Sequence, residues 1–243
     1  MHSYIFDYFL SQKKYEKIIA KIETRLTDLG LQGKNCHVGP LKSLKSIVKD
    51  EIKNNPKTIV AIGDNNTLSQ LINSLDGYET TIGIIPIGAN NSLAASFGVD
   101  NEDSACNILS ARLIETIDVG TINEYYFISQ AKIKNQGTII EINSRYTVES
   151  EGFGDITIMN LTTNHKDNKK LEYGSLGIYI KIDKKNILQK EIKPSFIQTN
   201  KIIANNLHKH NFILDGAIEI KPPAIFGVKK NALKIIVGKN RTF

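Results

Sequence analysis

Two stretches of this chain share one layout: an apolar run of strand length, a glycine, a short polar turn and a helical pattern. The first is the run 58–62 followed by Gly63, and the second is the run 81–87 followed by Gly88. Strands that alternate with helices favour a parallel sheet, and open α/β sheets bind ligands at the carboxyl ends of their strands. The repeat therefore predicts an α/β domain with both turns at one ligand-binding edge.

The residues of the two turns are candidates for contacting phosphate. Glycine lets a backbone approach a ligand closely, and N–H groups at the start of a helix favour anions. Asparagine tolerates the left-handed conformation better than most residues, so Asn66 and Asn90 can occupy turn positions that otherwise favour glycine. Neither turn has the Gly-Lys-Ser/Thr sequence of a Walker P-loop. The candidate nucleotide-binding residues are those of both turns: Gly63, Asp64, Asn65, Asn66, Thr67, Gly88, Ala89, Asn90 and Asn91.

The sequence changes character near residue 115. Before that point, apolar periodicity predicts a strand over 3–10 and helices over 12–29, 41–52 and 101–112, besides the two repeats. After it, short β-rich runs recur between turns rich in Asn, Gly and Lys. We predict an α/β domain over 1–115, with a parallel sheet and helices on both faces. An antiparallel β-sandwich-like domain follows over 116–243, and its last residues can pack back on the first domain.

Five segments also resemble known motifs, in order along the chain. They are similar to G-G-D-G-T, P-L-G-T-G-N-D, I-D-L-G with Y-F-L-N, D-G-E and P-K-A-L-R-V-L-V, and lie at 63–67, 86–92, 117–128, 214–216 and 230–237. Together they resemble the diacylglycerol kinase catalytic-domain family, which includes sphingosine kinases and bacterial lipid kinases and is distantly related to NAD kinase. The resemblance implies an ATP-binding cleft between two domains, Mg²⁺, and a lipid acceptor at a membrane surface.

Several acidic residues of that family are replaced here. By the resemblance, Asn65 and Ser92 stand where the family has aspartates, and Ala217 stands where it has the general base. An amide or a hydroxyl supplies no negative charge to a hard cation. The leading hypothesis is therefore a lipid kinase-family protein with an ATP-binding-like cleft, in which phosphoryl transfer to a lipid hydroxyl is reduced or lost.

Two alternatives stay open. The first is an active ATP-dependent lipid kinase with rearranged carboxylates, in which Asp215 and Glu219 are catalytic and Asp64 is a candidate metal ligand. The second is a non-catalytic module that docks on a membrane or a nucleic acid. It rests on the charge of residues 181–243, which hold 13 Lys or Arg against 4 Asp or Glu. A nucleic acid is the less expected partner, and the sequence specifies no oligomeric state.

The overall composition suits an ordinary globular protein, with 41% hydrophobic and 23% charged residues. Its two cysteines, Cys36 and Cys106, have neither the spacing of metal ligands nor the density of a disulfide scaffold. We expect both to be buried in a protein of the cytoplasm. The N-terminal residues lack a signal-peptide pattern, and no apolar run has the length of a membrane span. The membrane contact that the resemblance implies would then be peripheral.

Overall fold

The computed structural model describes residues 1–149, 152–161, 171–172, 174–183 and 194–243. Two compact units are present. Unit 1 consists of Met1–Ile117 and Asn231–Phe243, and unit 2 consists of Asp118–Lys230. The chain therefore leaves unit 1 once and returns to it near the end of the sequence.

Unit 1 is an α/β domain. Its helices and strands are β1 (His2–Phe6), α1 (Glu16–Asp28), β2 (Gly33–His37), α2 (Leu44–Ile52), β3 (Thr58–Gly63), α3 (Asn65–Ser74), β4 (Thr81–Pro86), α4 (Ser92–Ser96) and α5 (Glu102–Ala111). Two short 3₁₀ helices, Tyr8–Ser11 and Lys13–Tyr15, link β1 to α1. The strands are parallel and lie in the order β2-β1-β3-β4.

The strand order places helices on both faces of this sheet. The β1-α1-β2 crossover moves in one direction along the sheet, whereas β2-α2-β3 and β3-α3-β4 move in the other. Because such crossovers are right-handed, α1 lies on the face opposite to α2 and α3. The observed contacts agree, since α1 packs against α5 and α2 packs against α3.

Residues 231–243 complete unit 1. Lys234 pairs in parallel with Thr81 of β4, which adds a strand to the sheet. Beyond that strand, the Gly238 N–H donates to the carbonyl oxygen of Phe97, and the ring of Phe243 meets the Phe97 ring edge-on at 5.8 Å. These residues thus anchor the segment that follows the second glycine turn.

Unit 2 consists almost entirely of antiparallel strands, of which the first begins and the last ends among residues of unit 1. They are β5 (Ile114–Ile122), β6 (Tyr125–Phe127), β7 (Gln130–Lys134), β8 (Thr138–Ile142), β9 (Tyr146–Glu149), β10 (Gly154–Met159), β11 (Leu176–Ile182), β12 (Ser195–Thr199), β13 (Ile202–Asn206), β14 (Phe212–Leu214), β15 (Ile218–Ile220) and β16 (Ala224–Ile236). One sheet has the order β12-β11-β10-β7-β14-β15. The other contains β16-β13-β8-β9, and β5 pairs with both β16 and β6.

The core of unit 2 is formed by alternate side chains of both sheets. Ile156, Ile158 and Ile178 come from one sheet, and Ile140 and Ala204 from the other. Each is fully or almost fully buried, as period-2 alternation in a two-layer sandwich requires. The predicted fold class is confirmed: an α/β domain with a mainly parallel sheet is followed by an antiparallel β domain.

One strand was not expected from the sequence. Residues 33–37 form β2 between the two helices, where the apolar pattern indicated helix followed directly by helix. An ion pair between half-exposed Lys34 and buried Glu51 fixes this polar edge strand to α2, because Glu51 accepts hydrogen bonds from Lys34 Nζ (2.5 Å) and Ser3 Oγ (2.9 Å). Burial raises the pKa of Glu51, but those bonds outweigh it and hold the pKa below its ordinary value.

Both cysteines, Cys36 and Cys106, are buried free thiols, as the sequence predicts. Burial raises the pKa of the Cys106 thiol to about 11, which keeps it protonated and unreactive. No helix in the part of the chain that the structure describes is long and apolar enough to cross a bilayer.

Candidate functional site

The first glycine turn is closed by its own side chains. Asp64 is the N-cap of α3, and its Oδ1 accepts hydrogen bonds from the N–H groups of Asn66 (2.9 Å) and Thr67 (3.3 Å). The Asn65 N–H donates to the carbonyl oxygen of Asn90 at 2.8 Å. The N–H groups that would face an anion at this helix start are therefore already bonded to protein oxygens. A carboxylate takes the position that a phosphate would need.

A second carboxylate, from the end of β1, contacts the same turn. The buried Thr67 hydroxyl donates to Asp7 Oδ2 at 2.6 Å and accepts from the Asp64 N–H at 3.1 Å. A side chain at Gly63, whose φ is +158°, would clash with this hydroxyl. Glycine at position 63 thus makes room for the Thr67 side chain, and two carboxylates, Asp64 of the turn and Asp7 after β1, lie around its hydroxyl group.

Asn65 ties the two turns together. Its side chain is 1% exposed, and its Nδ2 donates to Asn90 Oδ1 (3.0 Å) and Ser92 Oγ (2.8 Å). Its Oδ1 accepts from the Leu93 N–H at 3.1 Å. A carboxylate at this position could not donate those two hydrogen bonds. The amide therefore serves as a structural cross-link between the start of α3 and the start of α4.

The second turn leaves its backbone N–H groups available. Gly88, Ala89 and Asn90 are exposed, and within the described residues no protein acceptor is bonded to a backbone N–H of residues 88–91. Gly88 has a φ of +108°, and a Cβ there would lie 3.3 Å from the Phe9 ring. The Asn91 side chain donates to the Gly88 carbonyl oxygen at 2.9 Å and holds the turn closed. This turn retains N–H donors that could contact an anion.

The cavity beside the second turn has an acidic lining. It has a volume of about 570 Å³, and Asp100 and Glu102 line it together with Gly88, Ala89 and Asn91. The described lining contains no Lys or Arg. The Nζ atom of Lys21 lies 3.6 Å from Glu102 Oε1. A phosphate in this cavity would meet carboxylates with little compensating positive charge.

Asp215 of unit 2 holds a segment of backbone. Its carboxylate is 5% exposed and accepts three hydrogen bonds, from the N–H groups of Ile128 (2.7 Å), Ser129 (2.8 Å) and Gln130 (3.0 Å). Burial raises the pKa of this carboxyl, and the three N–H donors oppose the rise. A carboxylate bonded in this way anchors the connection between β6 and β7.

Glu219 lies apart from that cluster. Asp215 and Gly216 form the turn between β14 and β15, and Ala217 lies in the turn rather than in the strand. Glu219 is in the middle of β15 on the exposed face, where its Oε2 accepts from Asn211 Nδ2 at 2.8 Å. Of the two candidate catalytic carboxylates, Glu219 is thus the exposed one.

This chain is similar to known proteins in both sequence and fold. Residues 5–122 match the family described as the diacylglycerol kinase catalytic domain. Over these residues, just under half of the chain, the sequence is similar to that family. A segment of 77 residues is 32% identical to a diacylglycerol kinase of Bacillus subtilis (strain 168). That match covers 30% of this chain and 25% of the relative, so it spans about a quarter of the relative's length.

The fold likeness covers almost the whole chain. A crystal structure of a diacylglycerol kinase from Bacillus anthracis (strain Sterne) superposes with a TM-score of 0.78 at 15% identity, over 99% of this chain and 97% of the other. That diacylglycerol kinase thus shares the fold of this chain, and the two glycine turns lie within residues 5–122, which match the family model.

Two features of the turns differ from the sequence-based expectation or were missed by it. Neither Asn66 nor Asn90 has a positive φ angle, and the positive φ angles of the two turns fall on Gly63 and Gly88. Asn66 lies in the first turn of α3, where an ordinary helical conformation suffices. Asp7 was not singled out, although its position after the first strand places it at the edge where β3 and β4 also end.

Proposed function

We propose that this diacylglycerol kinase-family protein has reduced or lost phosphoryl transfer to a lipid hydroxyl and binds nucleotides weakly. One observation supports this above all. Asn65, at the position of the family's acidic residue, is buried with its amide committed to Asn90, Ser92 and Leu93. By the family resemblance, position 65 should carry a negatively charged carboxylate. In this chain it carries an amide that donates hydrogen bonds.

The residues at this position do not fit a Mg²⁺ site. Mg²⁺ requires oxygen ligands in near-octahedral geometry and is bound in proteins through one or two carboxylates together with substrate phosphates. Here Asn65 Oδ1 already accepts from the Leu93 N–H, and Ser92 Oγ accepts from Asn65 Nδ2. No group of three or more His, Cys, Asp or Glu side chains suited to a metal occurs among the residues that the structure describes.

Nucleotide contact in this proposal is limited to the second turn. The N–H groups of Gly88, Ala89, Asn90 and Asn91 can donate to phosphate oxygens, whereas residues 63–67 shape the first turn and use their N–H groups internally. The carboxylates of the first turn and of the cavity wall repel a polyphosphate. Weak binding of ATP that does not depend on Mg²⁺ follows from this arrangement.

The competing reading is an active kinase that uses Asp64, Asp215 and Glu219. Two of these carboxylates have structural bonds: Asp64 caps α3, and Asp215 binds three backbone N–H groups. Glu219 is the exposed one and is the residue to test. A kinase of this kind would lose its activity in Glu219→Gln while remaining folded.

The decisive experiment measures phosphatidic acid formed from diacylglycerol, ATP and Mg²⁺ in detergent micelles. Kinases commonly turn over at about 1–100 s⁻¹. We expect a rate at least ~100-fold below that range, with no difference between wild type and Glu219→Gln. Turnover within the range would refute the proposal, and its loss in Glu219→Gln would establish the rearranged site.

A gain-of-function pair tests the metal argument directly. The double variant Asn65→Asp, Ser92→Asp restores two carboxylates at the family's positions, and Asn66→Asp adds a charge at an exposed position next to them. We expect Mg²⁺ to raise the melting temperature of the double variant and to leave wild type and Asn66→Asp unchanged. A Mg²⁺-dependent rise in the wild type would contradict the absence of a metal site.

A further inference from the structure

A cavity within unit 2 is basic where the cavity beside the second turn is acidic. It has a volume of about 690 Å³, which lies within the range of small-molecule sites, about 300–1,000 Å³. Its described lining contains two lysines, Lys201 and Lys230, and no Asp or Glu. Of the two cavities, this is the one whose charge suits an anion.

A glycine within a strand creates a hollow in this cavity. Gly227 belongs to β16, which has β5 on one side and β13 on the other. A Cβ at residue 227 would lie 3.1 Å from Thr121 Oγ1 of β5. Because Ile202 of β13 pairs with Phe226, the preceding residue, Lys201, comes beside Gly227. Glycine inside a strand often marks a place where a ligand approaches the backbone closely.

Three side chains of the lining have polar groups that the protein itself does not use. Among the described residues, no partner is bonded to the Thr121 hydroxyl, the Asn200 amide or the Lys201 ammonium group. Thr121 is partly exposed, and the other two are exposed. Asn123 differs from them, because its Oδ1 accepts from the Ile225 N–H at 2.9 Å and holds the turn after β5. The cavity thus offers three groups that can donate hydrogen bonds to a ligand.

The chemistry of the lining indicates the class of ligand. Lysine supplies a point charge that suits a tetrahedral phosphate, whereas the planar fork of arginine is the better match for a carboxylate. Ile225 is 53% exposed at the cavity, and Val228 is partly buried there. These two side chains give an apolar portion of a ligand a surface to contact. The combination fits an organic phosphate better than the inorganic ion.

The same cavity uses part of the positive charge of residues 181–243. Lys234 and Arg241 belong to unit 1 and pair with Glu79 (3.3 Å) and Glu115 (2.6 Å). Lys201 belongs to unit 2 and has no carboxylate within 4 Å in the portion that the structure describes. The basic residues of this region are therefore divided between the units, and Lys201 is one that can pair with a ligand.

We propose that this cavity, the Gly227 pocket (Thr121, Asn200, Lys201, Ile225 and Gly227), binds a soluble phosphate monoester that has a compact apolar body. The pocket lies within unit 2, whereas the nucleotide contact proposed above uses the second glycine turn of unit 1. The inference therefore does not depend on the loss of phosphoryl transfer. A phospholipid head group carries the same phosphate chemistry, so the experiment has a separate arm for it.

The test is isothermal titration calorimetry of the full chain with phenyl phosphate, a phosphate monoester that carries an apolar ring. Inorganic phosphate and phenol, its two parts, should each bind at least ~10-fold more weakly. Lys201→Gln should weaken binding of phenyl phosphate about 10-fold, because a charged hydrogen-bond donor is lost. Gly227→Val should abolish binding, because the new side chain fills the hollow. Gly227 does not have a positive φ angle, so a β-branched residue is compatible with the strand.

Two more variants make the result specific to the pocket. Lys181→Gln is the matched control, since Lys181 is an exposed lysine of β11 that does not line the pocket. Thr121→Val keeps the size of the side chain and removes its hydroxyl group, so it should weaken binding about 5-fold even if Gly227→Val fails to fold. Melting temperatures report whether each variant is folded. The ATP-induced rise in melting temperature should be the same in Gly227→Val and wild type, because ATP contacts the other unit.

Losses in Lys201→Gln, Thr121→Val and Gly227→Val, with Lys181→Gln like wild type, support the proposal. Absence of binding to wild type would overturn it, as would equal losses in Lys201→Gln and Lys181→Gln or undiminished binding to folded Gly227→Val. Displacement of phenyl phosphate by vesicles that contain phosphatidic acid, but not by pure phosphatidylcholine, would assign the pocket to a lipid head group and overturn the soluble ligand. Loss of the ATP response in folded Gly227→Val would also overturn it, because the ligand would then share the nucleotide site.

Discussion

Replacing Asp215 by asparagine separates a structural carboxylate from a catalytic one. Asparagine has nearly the same shape but offers one acceptor oxygen and one NH₂ group. Asp215 faces three backbone donors, with Ile128 at one oxygen and Ser129 and Gln130 at the other. Whichever way the amide is turned, at least one buried N–H faces an NH₂ group and loses its acceptor.

The expected cost follows from those three bonds. An unsatisfied buried donor costs about 1–3 kcal/mol, and each remaining bond loses roughly 1 kcal/mol when the carboxylate charge disappears. Relief from burying a charge offsets part of this, since burial already raises the Asp215 pKa. The net destabilisation is about 2–4 kcal/mol. For a chain of this size that corresponds to a fall in melting temperature of ~5–15 °C.

Differential scanning calorimetry measures that fall, and amide hydrogen exchange locates it. Exchange should accelerate at Ile128, Ser129 and Gln130 in Asp215→Asn. The matched control is Glu219→Gln, which keeps a side-chain acceptor for Asn211 on the exposed face and should change stability by less than about 0.5 kcal/mol. Unchanged melting and exchange in Asp215→Asn would refute the anchoring role of Asp215.

Three further predictions concern unit 1. Gly63→Ala should lower the free energy of unfolding in urea by ~2 kcal/mol, because the added Cβ meets the buried Thr67 hydroxyl. Gly39→Ala should leave it unchanged, because a Cβ at Gly39 meets open space. Equal effects of the two substitutions would contradict the clash at Gly63. Asp64→Ala should lower the free energy of unfolding by about 1 kcal/mol, because the helix loses its N-cap. It should nevertheless show a larger ATP-induced rise in melting temperature than wild type. An equal or smaller rise would contradict the view that the Asp64 carboxylate occupies the anion position at the start of α3. Because the pKa of Glu51 is lowered on folding, wild type should melt at a higher temperature than Glu51→Gln above the ordinary carboxyl pKa of 4.5. That difference in melting temperature should shrink as the pH falls below 4.5. A difference that persists at pH 3 would contradict the contribution of the charged pair with Lys34.

The sequence predicts those elements of the fold that bury apolar side chains periodically. Strands β3 and β4 are continuous apolar runs that are buried throughout, so their composition alone identifies them. Strand β2 escapes prediction because only Cys36 of its five residues is buried. Its strand conformation depends on pairing with β1 and on the Lys34–Glu51 pair, and the residues of that pair lie far apart in sequence.

The site is only partly predictable, because its chemistry depends on where side chains point. Glycine and asparagine identify the turns, and the family motifs give their order. The sequence does not specify that Asp64 turns back onto its own helix, or that Thr67 bonds Asp7 across 60 positions. Likewise, Asp215 matches a family motif, but only the fold brings the N–H groups of residues 128–130 to its carboxylate.

The return of residues 231–243 to unit 1 has a consequence for biosynthesis. A ribosome synthesises the chain from its N-terminus, so residues 118–230 emerge before the strand that pairs with Thr81. Unit 2 is a continuous segment and can finish folding first, whereas the unit that begins the chain has to wait with one edge of its sheet unpaired. An exposed strand edge invites pairing with other chains. Nascent chains stalled before residue 231 should therefore aggregate through unit 1.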